Sequence, residues 1–237
     1  MRRRAREALV NVLWGPRGAR RLPTERALVK ALNACDRRDV WWVCEMSSAG
    51  PVYLLPTREW VGALARYLRA IGAVRVLEVA AGDGFLSRCL RAKGFDVRAT
   101  DDASWSDPTE RMSAKDREEF RDVPVKGLRL GRNVEALSAR EAVKRYAPDA
   151  VLVSWAPPGP LVESMIRAKV RDVIEVGVEG DVCGDAARTW RYEKDFVEGE
   201  VESRALCRLD ARPGEARHTR VTRYFGKAHP DHGVDRG

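Results

Sequence analysis

Val74-Arg-Val-Leu-Glu-Val-Ala-Ala-Gly-Asp-Gly-Phe-Leu86 reads as a strand, a glycine-containing loop and the opening of a helix. The run Val74 to Val79 is short and rich in β-branched residues. The helix predicted over Leu86 to Lys93 is stopped by Gly94. Glycine lacks a Cβ and tolerates unusual backbone angles, so Gly82 and Gly84 let a ligand approach the main chain. In open α/β sheets ligands bind beyond the carboxyl ends of the strands, which places a crevice at this loop.

Downstream the pattern repeats. Phe95 to Thr100 is the second predicted strand, ending at Asp101-Asp102, and Asn133 to Leu137 is the third. Ser138 is placed to cap a helix over Ala139 to Tyr146. Pro148-Asp149 precedes the strand Ala150 to Ser154, a helix follows from Leu161 to Ala168, and Val173 to Val178 is the fifth strand. Such alternation predicts a doubly wound α/β domain, a mostly parallel sheet with helices on both faces. After a helix near Ala186 to Lys194 come two strand-like segments, Val201 to Leu209 and Arg217 to Phe225. A turn at Arg212-Pro-Gly214 joins them into a C-terminal antiparallel hairpin. The polar stretch Ala103 to Arg132, with a charged helix near Thr109 to Phe120, lies beside the crevice and is placed to act as a lid. Upstream, Pro56-Thr57 opens an amphipathic helix whose Trp60, Val61, Leu64, Ala65 and Leu68 form a core stripe.

The 237 residues suit one large domain or a domain with an extension. No apolar run approaches the ~20 residues that cross a bilayer, so the default expectation is a cytoplasmic protein without membrane contact. The five cysteines, at 35, 44, 89, 183 and 207, form no Cys-x-x-Cys pair and no metal-ligand spacing with histidine. No metal is expected. His229-Pro-Asp-His232 sits in a terminus, residues 227–237, that is expected to fray. Residues 1–38 hold 11 Lys or Arg against 3 Asp or Glu, a net +8, while the other 199 residues hold 32 of each sign. The basicity therefore belongs to an N-terminal extension, residues 1–51, expected to be helical. Residues 2–38 could dock RNA or another polyanion by counterion release.

Gly82-Asp-Gly84-Phe-Leu-Ser87, followed by Asp101, is also a degraded dinucleotide fingerprint. Two features weigh against a nicotinamide cofactor. The third glycine, which packs helix on strand over a pyrophosphate, is Ser87 here. Glu78, four residues before Gly82, would repel a pyrophosphate and suits a ligand carrying an ammonium group.

Val76-Leu-Glu-Val-Ala-Ala-Gly-Asp-Gly-Phe-Leu86 resembles the first motif of class I S-adenosylmethionine-dependent methyltransferases, in which an acidic residue precedes three alternating glycines. The resemblance covers residues 52–226 and implies a seven-stranded sheet whose last strand is inserted antiparallel. It implies that Glu78 engages the methionine end of the cofactor, that Gly82 and Gly84 open the backbone, and that Asp101 accepts from the ribose hydroxyls. Asp102 stands where an apolar residue often packs on adenine, and Ser138 and Ala139 match the region facing the adenine. Ala80 occupies the place of the first glycine; its methyl fits where φ is negative.

Ser154-Trp155-Ala-Pro-Pro-Gly159 lies where that family places its acceptor-side motif. Trp105, Trp155 and Trp190 each follow a strand's carboxyl end and together would wall a flat acceptor pocket. Trp155 and Glu179 are the candidate catalytic residues, with Asp181, Asp185 and His218 as further candidate bases. Three functions stay open: methyl transfer to a small molecule or peptide, methyl transfer to RNA or a ribosomal component, and a degenerate adenosylmethionine-binding domain.

Overall fold

The computed structural model describes residues 2–45, 51–106, 118, 121, 126–178, 183–210 and 219–232. Seven strands form one sheet: β1 (Arg75–Val79), β2 (Asp96–Asp101), β3 (Glu135–Ala136), β4 (Ala150–Ser154), β5 (Asp172–Val178), β6 (Lys194–Phe196) and β7 (Thr219–Phe225). Their order is β3-β2-β1-β4-β5-β7-β6. All neighbours run parallel except β7, which is antiparallel to both β5 and β6. This is the doubly wound, mostly parallel seven-stranded sheet, with its last strand inserted antiparallel, that the sequence predicts.

The strands are apolar on both sides because both faces are covered, as in other parallel sheets. Val76, Leu152, Ile174 and Val221 pack against α4 (Arg58–Ala70) and α5 (Phe85–Arg91). Leu77, Val151, Val153 and Val173 pack against α6 (Ala139–Tyr146) and α7 (Leu161–Ile166). Hydroxyl caps start the two longest of these helices. Thr57 accepts the Trp60 N–H at 3.1 Å, and Ser138 and Glu141 form a reciprocal capping box at α6.

The C-terminal third departs from expectation. Val201 to Leu209 is not a strand: α9 (Glu200–Ser203) occupies its start, and the β7 partner is Lys194–Phe196, which follows the short α8 (Ala186–Thr189). Gly199, at φ +78°, turns the chain out of β6 and into α9. There Val201 and Ala205 enter the core and the Trp60 indole donates to the Val201 carbonyl at 2.9 Å. Helical spacing and a buried tryptophan thus override the alternating pattern. The Arg212-Pro-Gly214 turn and the helix near Thr109 to Phe120 lie outside the described residues. Of the terminus expected to fray, residues 227–232 are packed. The His229 ring stacks on Phe225 at 4.1 Å, and the Ala228 N–H donates to the Val170 carbonyl at 3.0 Å.

At the other end, α1 (Arg2–Leu13), α2 (Glu25–Asn33) and α3 (Arg37–Glu45) enclose a core of their own. Leu9, Leu13, Leu28, Leu32 and Val40 meet Val52, Leu55 and Leu206 there, so these helices are seated on the sheet domain. No described helix is long and apolar enough to cross a membrane.

Candidate functional site

An open cleft of about 1100 Å³ lies beyond the carboxyl ends of β1, β2 and β4. The strand order reverses between β1 and β4, so the cleft occupies the topological switch point where open α/β sheets bind ligands. Glu78, Ala80, Gly82, Asp101, Asp102, Ala139, Ser154 and Trp155 all line it. Gly84 and Ser138 do not line it: Gly84 starts α5 and Ser138 serves as the cap of α6.

Glu78 ends β1 almost fully buried, and its Oε2 accepts the Ser87 N–H at 2.9 Å and the Ser87 hydroxyl. Burial pushes its carboxyl up to about 7, against the two Ser87 hydrogen bonds, which pull it down. Ser87, the residue that breaks the dinucleotide fingerprint, is thus the acid's own partner.

The glycine loop turns through left-handed backbone at three of five positions, with φ of +50° at Ala80, +54° at Gly82 and +66° at Gly84. The negative φ at which the Ala80 methyl would fit is therefore not found; the tight β1-to-α5 turn imposes the left-handed conformation on an alanine. At Gly84 a side chain is excluded twice over, because a Cβ there would lie 2.6 Å from Val134 Cγ2. The Gly131 N–H donates to the Gly82 carbonyl at 3.1 Å, clasping the loop from outside.

Asp101 closes β2 with 5% exposure. Its Oδ2 accepts the Gly82 N–H at 3.0 Å and its Oδ1 the Ala103 N–H at 2.8 Å. Burial raises its pKa and these two N–H groups oppose the rise. Each carboxylate oxygen keeps a lone pair for a further donor. Asp102 is exposed and binds the Ser104 N–H at 3.0 Å.

Arg20 is a cleft residue that the sequence did not single out. Its guanidinium spans the Asp83 carboxylate at 3.2 Å and the Leu54 carbonyl at 3.2 Å, and lies 4.1 Å from the Phe85 ring centre. Tyr53 is another: it stacks on Trp155 with centroids 5.4 Å apart and planes 22° from parallel. Both come from segments before β1, in which no motif marks either residue as belonging to a site.

Trp155 is itself held at φ +59°, a rare conformation for a bulky residue, by its N–H to the Val176 carbonyl at 2.6 Å. Trp105 also lines the cleft. Trp190 does not: it is 70% exposed, with the Lys194 ammonium over its ring, because α8 ends early and leads down to β6. Asp185 caps α8 and binds Arg188 at 2.7 Å. Glu179, Asp181 and His218 lie outside the described residues. Among the described residues no group of three or more His, Cys, Asp or Glu side chains could hold a metal ion.

No protein family matches the chain, and no curated protein does. Among solved structures it is similar to the 23S rRNA methyltransferase ErmE, with 20% identity over 71% of this chain and 69% of that one, at a TM-score of 0.36. The methyltransferase domain of a bacterial Hen1 is similar at 19% identity, 71% and 97% coverage and a TM-score of 0.41. M. capricolum TrmK, solved with S-adenosylhomocysteine, is similar at 11% identity, 71% and 68% coverage and a TM-score of 0.37. At these scores the likenesses add nothing to the strand order, on which the fold rests.

Proposed function

We propose that this chain is an S-adenosylmethionine-dependent methyltransferase acting on a small molecule or peptide. One observation carries the reading: a buried acid at the end of β1, a left-handed glycine loop and a second buried acid at the end of β2 converge on one cleft at the switch point. The residues fit the cofactor. Glu78 is a buried carboxylate suited to an ammonium group, the loop gives side-chain-free access at Gly82, and Asp101 has acceptor capacity left for a pair of hydroxyls. Leu137 and Ala139 offer an apolar seat for a base. We read residues 52–226 as the methyltransferase domain and residues 1–51 as a helical extension that completes its cleft.

When bound, adenosylmethionine supplies an electrophilic methyl group on a sulfonium. The chain's own part is to hold donor and acceptor in line, since alignment alone can account for about 7–11 kcal/mol of a barrier. Trp155, backed by the stacked Tyr53, presents its ring where the acceptor would approach, with Trp105 also in the cleft. Glu179 remains a proposed base for an acceptor that must lose a proton. Among the described residues Arg20, already paired with Asp83, is the single basic residue lining the cleft, which favours an acceptor without a phosphate at the reacting end. RNA stays as the alternative acceptor, held by the exposed arginines of α1 to α3.

Calorimetric titration with adenosylmethionine, adenosylhomocysteine and NAD tests the reading. Micromolar binding of the two sulfur ligands, lost in Asp101→Ala that keeps the wild-type circular dichroism, is the expected result. Binding of NAD alone, or of none of the three, removes it.

A further inference from the structure

Arg208 follows α9, is buried at 1% exposure and does not itself line the cleft. Its guanidinium lies between two aromatic rings, 3.8 Å from the centre of Trp41 and 4.8 Å from that of Tyr53. Glu45, equally buried, holds Nη2 at 2.9 Å, while Nε and Nη1 have no hydrogen-bond partner among the described residues. The backbone repeats the link, for the Arg208 N–H donates to the Tyr53 carbonyl at 2.8 Å and Leu54 bridges Cys207. On its other side Tyr53 stacks on Trp155. Four side chains from four separate segments thus form one column, Trp41, Arg208, Tyr53 and Trp155, whose last two members line the cleft.

A buried ion pair is a poor way to gain stability, because desolvation offsets most of the attraction. This one leaves two guanidinium nitrogens unsatisfied as well. Yet it is placed where a flat cation can press on Tyr53 and so brace Trp155, whose left-handed backbone needs support from its surroundings. A hydrophobic residue could fill the same volume without fixing the angle of the ring.

We propose that Arg208 is a positioning residue for the acceptor half of the cleft: clamped between Trp41 and Tyr53 and anchored on Glu45, it sets the Tyr53–Trp155 stack against which a flat acceptor lies. The methyl-acceptor role of that stack rests on the methyltransferase reading; the clamp itself does not. Arg208→Lys keeps the charge opposite Glu45 but lacks the planar group that stacks. Glu45→Leu with Arg208→Met removes the pair together and leaves no lone buried charge.

The signal of the stack is the near-ultraviolet circular dichroism that wild type loses in Trp155→Phe. Both Arg208 variants are expected to lose that signal while binding adenosylhomocysteine within twofold of wild type. With adenosylhomocysteine saturating, quinoline serves as a flat probe, followed by tryptophan quenching; its affinity is expected to fall at least tenfold in both variants. Retention of the Trp155 signal in a folded double variant overturns the proposal and leaves the pair a mere staple between segments. Retention of the signal in Arg208→Lys alone overturns the requirement for a planar cation. Absence of adenosylhomocysteine binding in wild type strikes the methyltransferase reading instead, and the dichroism comparison still decides the clamp.

Discussion

At the scale of single residues, the left-handed alanine in the glycine loop is the sharpest departure from a simple pattern. A non-glycine residue in that conformation costs on the order of 1–2 kcal/mol. Ala80→Gly is therefore expected to raise the unfolding free energy measured in urea by about 1 kcal/mol, as a higher midpoint with an unchanged slope. The gain in backbone freedom of the unfolded chain makes this the lower part of the range. If the loop is already shaped for its ligand, adenosylhomocysteine affinity changes by no more than about threefold; a hundredfold tightening would mark the chain as a degenerate binder.

Two glutamates whose pKa is raised by desolvation, Glu78 and Glu175, give a pH dependence with a definite sign. Burial raises Glu78 to about 7 and Glu175 to about 7, both from 4.5. Between those values the folded chain binds more protons than the unfolded one, so stability falls as pH rises through that window and levels off above it. Urea midpoints from pH 5 to 8 check this, and Glu175→Gln should flatten the slope. Glu78 adds a second test that depends on the cofactor. An ammonium group beside it lowers its pKa, so adenosylmethionine binding at pH 7 should release about half a proton. Calorimetry in two buffers of different ionisation heat reads this number directly.

At the scale of elements, the readable parts were those whose signals are local. Helix α6 occupies Ala139–Tyr146 and β4 Ala150–Ser154, the bounds predicted, because a capping serine and a Pro-Asp boundary are written into adjacent residues. Ser138→Ala should cost about 1 kcal/mol of stability by loss of that cap and leave ligand binding nearly unchanged. Elements of three or four residues were read only in part: the helix predicted near Ala186 is present as α8, but it ends at Thr189. Neither α8, β6 nor α9 is long enough to show a period, and their states follow from Asp185, Gly199 and the Trp60 hydrogen bond.

At the scale of the whole molecule, the basic extension is part of the cleft's construction. Arg20 lines the cleft, and buried Leu9, Leu13, Leu28 and Leu32 belong to the core that also holds Val52, Leu55 and Leu206. Deletion of residues 1–38 is expected to expose that apolar face and abolish both solubility and adenosylhomocysteine binding. A soluble, ligand-binding product in size-exclusion chromatography and calorimetry would show instead that the extension is dispensable.

The strand–loop–helix unit at residues 74–93, the alternation behind it and the acids at 78 and 101 were determined by the sequence alone, because each depends on neighbours within a few turns of chain. Only the tertiary structure decided which distant side chains meet them. Arg20, Tyr53 and Arg208 lie outside that unit in sequence and reach the cleft or its wall through packing. The backbone angle of Ala80 was likewise set by the turn that closes β1 onto α5. Side-chain type can be read from a sequence; the company a side chain keeps is set by the energy of the whole packed arrangement.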